Sequence, residues 1–259
     1  MSDRAVVSLG IAASVGPELA GWLAPLIEDA GFHALWVNDT PGADAVAVLE
    51  AAARTTERLH LATGVLAVDR RAPGDIAAQI VGRRLPQQRL TIGIGSGQAG
   101  KGALELVRSA ASALTSSVDA RIVVGALGPK MREVAARASD GVLLSWLPPD
   151  LAREQAAEAH AVDADSHVAL YVRAAVAEAA QPRLHEEAAR YVGYPSYAAN
   201  FARLGIDVED TLLSTSVPGT AERLKDYRQG TDEVVLRAIT ATDSLDDYRA
   251  FIDEARTLL

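Results

Sequence analysis

Residues 120–147 read ARIVVGALGPKMREVAARASDGVLLSWL, and the pattern in this stretch decides the fold. Ile122-Val123-Val124 and Val142-Leu143-Leu144 are unbroken apolar runs, as strands covered on both faces require. Between them Lys130–Ala138 has helical periodicity, and Gly128-Pro129 ahead of it is a helix-opening pair. A strand, a helix and a strand joined by short turns make a parallel βαβ unit. The alternation continues outward in both directions. Strands are expected at Ala5–Ala12, Ala34–Val37, Leu59–Ala67, Arg89–Gly95, Ala120–Ala126, Gly141–Leu147, His167–Val176 and Glu233–Ile239. Helices are expected at Val46–Glu57, Leu104–Leu114 and Leu245–Leu258. The long stretch Gln181–Gly230 should hold extra ones around Pro195–Leu204 and Thr220–Tyr227. Eight such units in 259 residues fit one (β/α)8 TIM barrel, a single α/β domain over residues 1–259. A doubly wound open sheet is the rival architecture.

Composition removes several function classes. A net charge of −9 has the wrong sign for a protein that must neutralise nucleic-acid phosphates. The absence of cysteine excludes disulfides, thiolate metal sites and a Cys nucleophile. No apolar run reaches the roughly 18 residues of a membrane span. The polar start Met1–Arg4 leads straight into a strand, so a cytoplasmic, soluble protein is expected. His33, His60 and His167 fall at strand starts, and His160 and His185 on helices, with no ligand spacing among them. No metal site is expected. The same placement argues against a Ser-His-Asp hydrolase, and no GxSxG turn is present.

In a parallel barrel the chemistry collects at the carboxyl ends of the strands. There the chain places Asn38-Asp39-Thr40, then Thr63-Gly64-Val65-Leu66 followed by Asp69-Arg70-Arg71, then Gly95-Ser96-Gly97-Gln98. Gly125-Ala126-Leu127-Gly128-Pro129-Lys130 and Ser145-Trp146 follow. Gly95–Gly100 matches GxGxxG in form, but it lies on the fourth strand and lacks an acidic residue at the end of the next one. A glycine turn is the simpler reading. The start of the helix after Gly128 could hold a phosphate through free amides, with Lys130 adding charge. An ordinary turn with a solvated lysine accounts for the same residues.

Taken together, Leu35–Asp39, Ala52–Leu59, Leu61–Leu66, Arg70-Arg71-Ala72-Pro73, Leu90–Gly97, Gly125–Met131 and Ser139–Trp146 resemble the luciferase-like monooxygenase family. The last two blocks are most similar to the branch that uses coenzyme F420, such as methylene-tetrahydromethanopterin reductases. The resemblance covers about residues 5–150 in order, and beyond them only the architecture matches. It implies a luciferase-like TIM barrel that binds a deazaflavin, coenzyme F420, or alternatively FMN. It places Asp39 at the head of the coenzyme, and Thr63, Gly64 and Val65 in a bulge behind the ring. Ser96 and Gly97 would lie beside the ring, with Gly125, Ala126, Gly128, Pro129 and Lys130 on the phosphate side and Arg71 or Lys101 as helpers. It further implies a cis Gly64–Val65 bond and a homodimer formed through helices flanking strands two and three.

The implied activity is hydride transfer between the deazaflavin and a small organic substrate. An FMN-dependent monooxygenase and a trimmed, non-catalytic cofactor-binding barrel are the alternatives. The chain departs from related sugar-phosphate dehydrogenases, which carry histidine and glutamate where Thr40 and Gln98 stand. Neither of these can act as a general acid or base at neutral pH. No catalytic residue is assigned from the sequence.

Overall fold

A computed structural model of the chain describes residues 5–216 and 218–259, so the reading of Met1–Arg4 lies outside the described residues. The strands are β1 (Val6–Ala12), β2 (Ala34–Asn38), β3 (His60–Ala67), β4 (Leu90–Gly95), β5 (Arg121–Gly125), β6 (Gly141–Ser145), β7 (His167–Ala175), β8 (Leu213–Ser214) and β9 (Glu233–Ala238). The helices are α1 (Gly16–Asp29), α2 (Ala45–Ala53), α3 (Pro73–Gly82), α4 (Ala103–Thr115), α5 (Pro129–Ala138) and α6 (Pro149–Val162). They continue with α7 (Gln181–Val192), α8 (Pro195–Leu204), α9 (Thr220–Tyr227) and α10 (Leu245–Ala255).

Strands β1 to β7 pair in sequence, and β9 closes the ring between β7 and β1, every pairing parallel. The eight expected strands are the eight staves, within two residues at each end. The expected helix Val46–Glu57 stops at Ala53, where Thr55 and Thr56 turn their hydroxyls back onto carbonyls of its last turn. One strand was not expected. The two residues of β8 sit beside the end of β7, in the same stretch that carries α7, α8 and α9.

Helix entry follows local chemistry. The Asp44 carboxylate caps α2 through the Val46 and Ala47 amides at 3.0 and 3.1 Å, and the Ser244 hydroxyl caps α10. Proline occupies the first turn of α3, α5 and α6, where its missing N–H costs nothing.

Apolar side chains such as Leu9, Ile11, Leu35, Val37, Ile92 and Val124 fill the layer between strands and helices. A smaller cluster inside the barrel contains Trp36, Ala62, Val123, Leu143, Ala169, Tyr171 and Val235. Trp36 and Tyr171 meet edge to face there, 5.8 Å between ring centroids. At the amino-terminal end of the barrel the fully buried Glu233 accepts bonds from Trp36 Nε1 (2.6 Å) and the Ser8 hydroxyl, and pairs with His167 Nε2 (2.9 Å). His33 and His60 stack beside it at 4.6 Å. Three of the histidines therefore belong to the base of the barrel. Among the described residues no helix is long and apolar enough to cross a membrane.

Candidate functional site

The ladder between β3 and β4 slips between Thr63 and Leu66, and the Gly64–Val65 peptide bond within the slip is cis. The resulting bulge pushes Val65 inward at the carboxyl end of the barrel. Three glycines make room for it. A Cβ on Gly95 would stand 2.7 Å from Val65 Cγ2, and one on Gly125 would stand 3.1 Å from Cγ1. On Gly93 a Cβ would lie 2.1 Å from the Thr63 carbonyl oxygen, so only glycine fits there without moving backbone. Thr63 itself is buried. Its hydroxyl takes the Gly93 N–H at 2.9 Å and donates to the Gly93 carbonyl at 3.0 Å, replacing the ladder bonds that the bulge gives up. Asn38 holds the other flank, donating from Nδ2 to the Gly64 carbonyl at 2.7 Å.

Thr63 thus shapes the ledge from below rather than facing an open surface. Thr63→Val is expected to cost about 1–3 kcal/mol by stranding two buried backbone groups, measured as a shift in the urea unfolding midpoint.

Around the Val65 ledge lies a rim of polar groups. Arg71 pairs with Asp39 at 3.8 Å, and both are largely shielded. Burial pushes the Asp39 carboxyl above the usual carboxylate range, and the neighbouring Arg71 offsets this only in part. Asn38 Oδ1, Asp39 Oδ1, Thr40 Oγ1, one Arg71 guanidinium nitrogen and the Tyr171 hydroxyl are buried with no hydrogen-bond partner. Native proteins rarely strand polar groups in this way, and here five of them cluster at one end of one barrel.

The turns after β4 and β5 complete the rim. Gly97 is left-handed, φ 59°, and Asp69 accepts the Gln98 amide at 2.8 Å, pinning the Ser96-Gly97-Gln98 turn. After β5, Gly128 precedes Pro129 and α5, and its carbonyl takes back the Met131 and Arg132 amides. Lys130 and Lys101 are exposed. Two arginines not expected from sequence reach the Leu127 carbonyl, Arg132 at 3.2 Å and Arg203 of α8 at 3.3 Å.

The opposite side of the mouth is built by β6, β7, β9 and α7. Arg173, buried, donates to Ser145 Oγ at 2.5 Å, pairs with Glu187 at 3.2 Å and lies 3.9 Å over the Trp146 ring. Tyr171 is buried inside the barrel beneath this side, and an added Gly64 Cβ would come within 2.7 Å of its hydroxyl. Burial pushes this phenol far above its ordinary range, so it keeps its proton. The sequence reading named neither residue. The available signal was a tyrosine and an arginine two positions apart in an apolar strand, both on the inward parity.

Of the residues named from sequence, Val65 packs over Gly125, while Gly64 faces Tyr171. Asp39 lies on the rim, Ser96 and Gly97 form the β4 turn, and Ala126 to Lys130 form the loop into α5.

Comparison with known proteins agrees with this architecture. Residues 10–101 match the model of the luciferase-like monooxygenase family, and the barrel as a whole has the luciferase-like fold. No curated protein matches the chain in sequence. Among solved structures, monooxygenase RslO1 from Streptomyces bottropensis superposes at TM-score 0.71 with 18% identity, covering 97% of this chain and 98% of that one. A coenzyme F420-dependent tetrahydromethanopterin reductase from Methanopyrus kandleri gives TM-score 0.70 and 16% identity over 95% and 98%. The oxygenating constituent of 3,6-diketocamphane monooxygenase from Pseudomonas putida, solved with FMN, gives 0.65 and 12% over 94% and 95%.

Proposed function

We propose that this chain is an oxidoreductase that seats coenzyme F420 on the Val65 ledge and passes a hydride between it and a small organic substrate. The observation that carries this reading is the cluster of five buried polar atoms without hydrogen-bond partners beside a surface of glycines and one valine. A flat heteroaromatic ring with carbonyl and N–H groups on its edge suits such a frame, apolar against its face and polar around its rim. Asn38, Asp39, Thr40 and Arg71 would bind and orient that edge. Val65 would press on the ring face, and Gly95 and Gly125 would let it approach the backbone. The loop Gly125–Lys130 would take the phosphate side, with Lys130 supplying charge near the α5 amides. Bound there, the deazaflavin supplies the hydride chemistry at its C5 position. Tyr171 would hold a proton at its hydroxyl beside the ledge, acting as a hydrogen-bond donor and not as a base.

The preference for F420 over FMN rests on the resemblance of Gly125–Trp146 to the F420 branch. Titration of the purified protein with F420 and FMN in parallel tests it. Saturable F420 binding at one per chain is expected, weakened about two- to five-fold in Lys130→Ala, since an exposed amine's contact is screened. Binding of FMN alone would turn the reading to a flavin monooxygenase. Binding of neither would reject it.

A homodimer belongs to the same reading. The small residues of α2 are already committed within the chain, with Gly21 of α1 closing on Ala51. The exposed Trp22 and Val81 on the neighbouring helices α1 and α3 are the apolar groups left for a partner. A monomer by light scattering would reject this part.

A further inference from the structure

A cavity of about 270 Å³ opens at the same mouth, on the side away from the ledge. Arg183, Glu186, Glu187 and Arg190 of α7 wall it together with Arg237, Ile239 and Asp243. Its lining carries three guanidiniums and three carboxylates, but they do not all pair. Arg183 is paired with Asp243 at 2.6 Å, while Arg173 and Arg190 share Glu187 at 3.2 and 3.5 Å. Arg237 is only 9% exposed, and its guanidinium donates to the carbonyl of the adjacent Ala238. Among the described residues no carboxylate lies within ion-pair distance of it. Glu187 is thus engaged by Arg173 and Arg190, Glu186 is exposed, and Arg237 is the arginine of the lining left without an ion-pair partner among the described residues. Burial alone would push Glu187 upward, but Arg237 and Arg173 hold it below the usual carboxylate range, so its charge is already committed. A buried guanidinium without a counter-charge is unfavourable, and its planar fork suits a carboxylate.

Position supplies the second part of the argument. A Cβ on Gly10 would lie 3.3 Å from Arg237 Cα and 3.2 Å from Tyr171 Cε1, while the far side of the same phenol ring faces Gly64. The Tyr171 ring therefore lies between the backbone of β9 at Arg237 and the Gly64 side of the ledge. Ile239 and Ala238 give the cavity an apolar wall.

We propose that this cavity holds the carboxylate of a small monocarboxylic acid, with Arg237 as its main ligand and Arg190 at the rim, and that this acid is the substrate. Its carbon skeleton would extend across Tyr171 toward the Val65 ledge. The substrate assignment rests on the oxidoreductase reading, whereas the anion site can be tested without it. Glu187 and the exposed Glu186 nearby disfavour a second negative charge, so a monoanion is preferred to phosphate.

Calorimetric titration with benzoate, benzamide and inorganic phosphate decides the matter. Benzoate should bind, benzamide should not, and phosphate should bind more weakly than benzoate. Arg237→Gln should weaken benzoate about ten- to hundred-fold, the usual range for a lost charge-assisted contact. Arg190→Gln at the rim, which tests the site should Arg237→Gln fail to fold, should weaken it a few-fold. Equal binding of benzoate and benzamide, no saturable benzoate binding, or indifference of benzoate to both substitutions would overturn the proposal. F420 titration of Arg237→Gln separates the remaining source of anion. Unchanged F420 affinity with lost benzoate binding supports the proposal. Weakened F420 affinity in a protein that ignores benzoate assigns the arginine to the coenzyme's own anionic tail and overturns it. Failure of wild-type protein to bind F420 while benzoate still binds through Arg237 would sink the coenzyme reading and leave the carboxylate site standing.

Discussion

Glu233→Ala is expected to remove about 3–5 kcal/mol of stability, a large part of the margin of an ordinary domain. The carboxylate is fully buried and serves three partners, Trp36 Nε1, the Ser8 hydroxyl and His167. Truncation leaves an indole N–H and a hydroxyl stranded and a cavity among the inward residues, so desolvation and packing costs add. Glu233→Gln keeps the volume and one acceptor oxygen, and should cost about 1–3 kcal/mol. Urea unfolding of the two variants separates the contributions. Equal losses would mean that the charge, not the packing, dominates.

Acidity probes the same region. Burial would raise the Glu233 carboxyl, but His167, Ser8 and Trp36 hold it below the ordinary glutamate value of 4.5. Its contribution is therefore complete above about pH 4.5 and is lost as pH falls through the lower folded value. His33 and His60 are lowered from 6.5, chiefly by burial, so the unfolded chain takes up their protons first as pH drops below that value. Both effects have the same sign, and stability should decline on acidification from about pH 6.5 downward. In Glu233→Gln the upper part of this decline should persist and the lower part should shrink.

The barrel was legible in the sequence because strands covered on both faces are written as apolar runs, and turns with Gly128-Pro129 chemistry separate them from periodic helices. The two residues of β8 carry no such signal, since their pairing with β7 depends on where α8 and α9 place them. The ledge was legible only in part. Thr63-Gly64-Val65-Leu66 marked the place by resemblance, yet the glycines that admit Val65 lie on two other strands, and their fit is a tertiary fact. The polar interior was missed for the reason that made the strands easy to see. Within the mainly apolar runs of β7 and β9, Tyr171, Arg173, Glu233 and Arg237 stand as single polar residues with no motif to mark them. They sit two or four residues apart, and strand parity turns every one of them inward. Lys130 shows the converse. Its charge was visible in the sequence, but the pattern could not choose between a phosphate contact and a solvated lysine, and the structure leaves it exposed.

Gly93→Ala is the second substitution from which a large effect is expected, about 3 kcal/mol or more of destabilisation. The new Cβ would lie 2.1 Å from a backbone carbonyl oxygen, that of Thr63, so no side-chain rotation relieves it. Either β3 or β4 must move, and movement breaks the paired Thr63–Gly93 contacts that replace the ladder at the bulge. Gly125→Ala is the informative partner. Its Cβ would meet a side-chain methyl of Val65 at 3.1 Å, which a few tenths of an ångström of give accommodates, so the fold should lose about 1 kcal/mol or less. The added methyl nevertheless stands on the surface assigned to the coenzyme ring. F420 affinity should fall about ten-fold, equivalent to about 1.4 kcal/mol of overpacking at the ledge. Gly74→Ala on α3, where an added Cβ meets nothing within 4 Å, should leave binding unchanged and stability unchanged or slightly raised. Unfolding midpoints and F420 titrations on all three variants read the two effects apart. If Gly125→Ala binds F420 as tightly as the unmodified protein, the ring does not rest on the Val65 ledge.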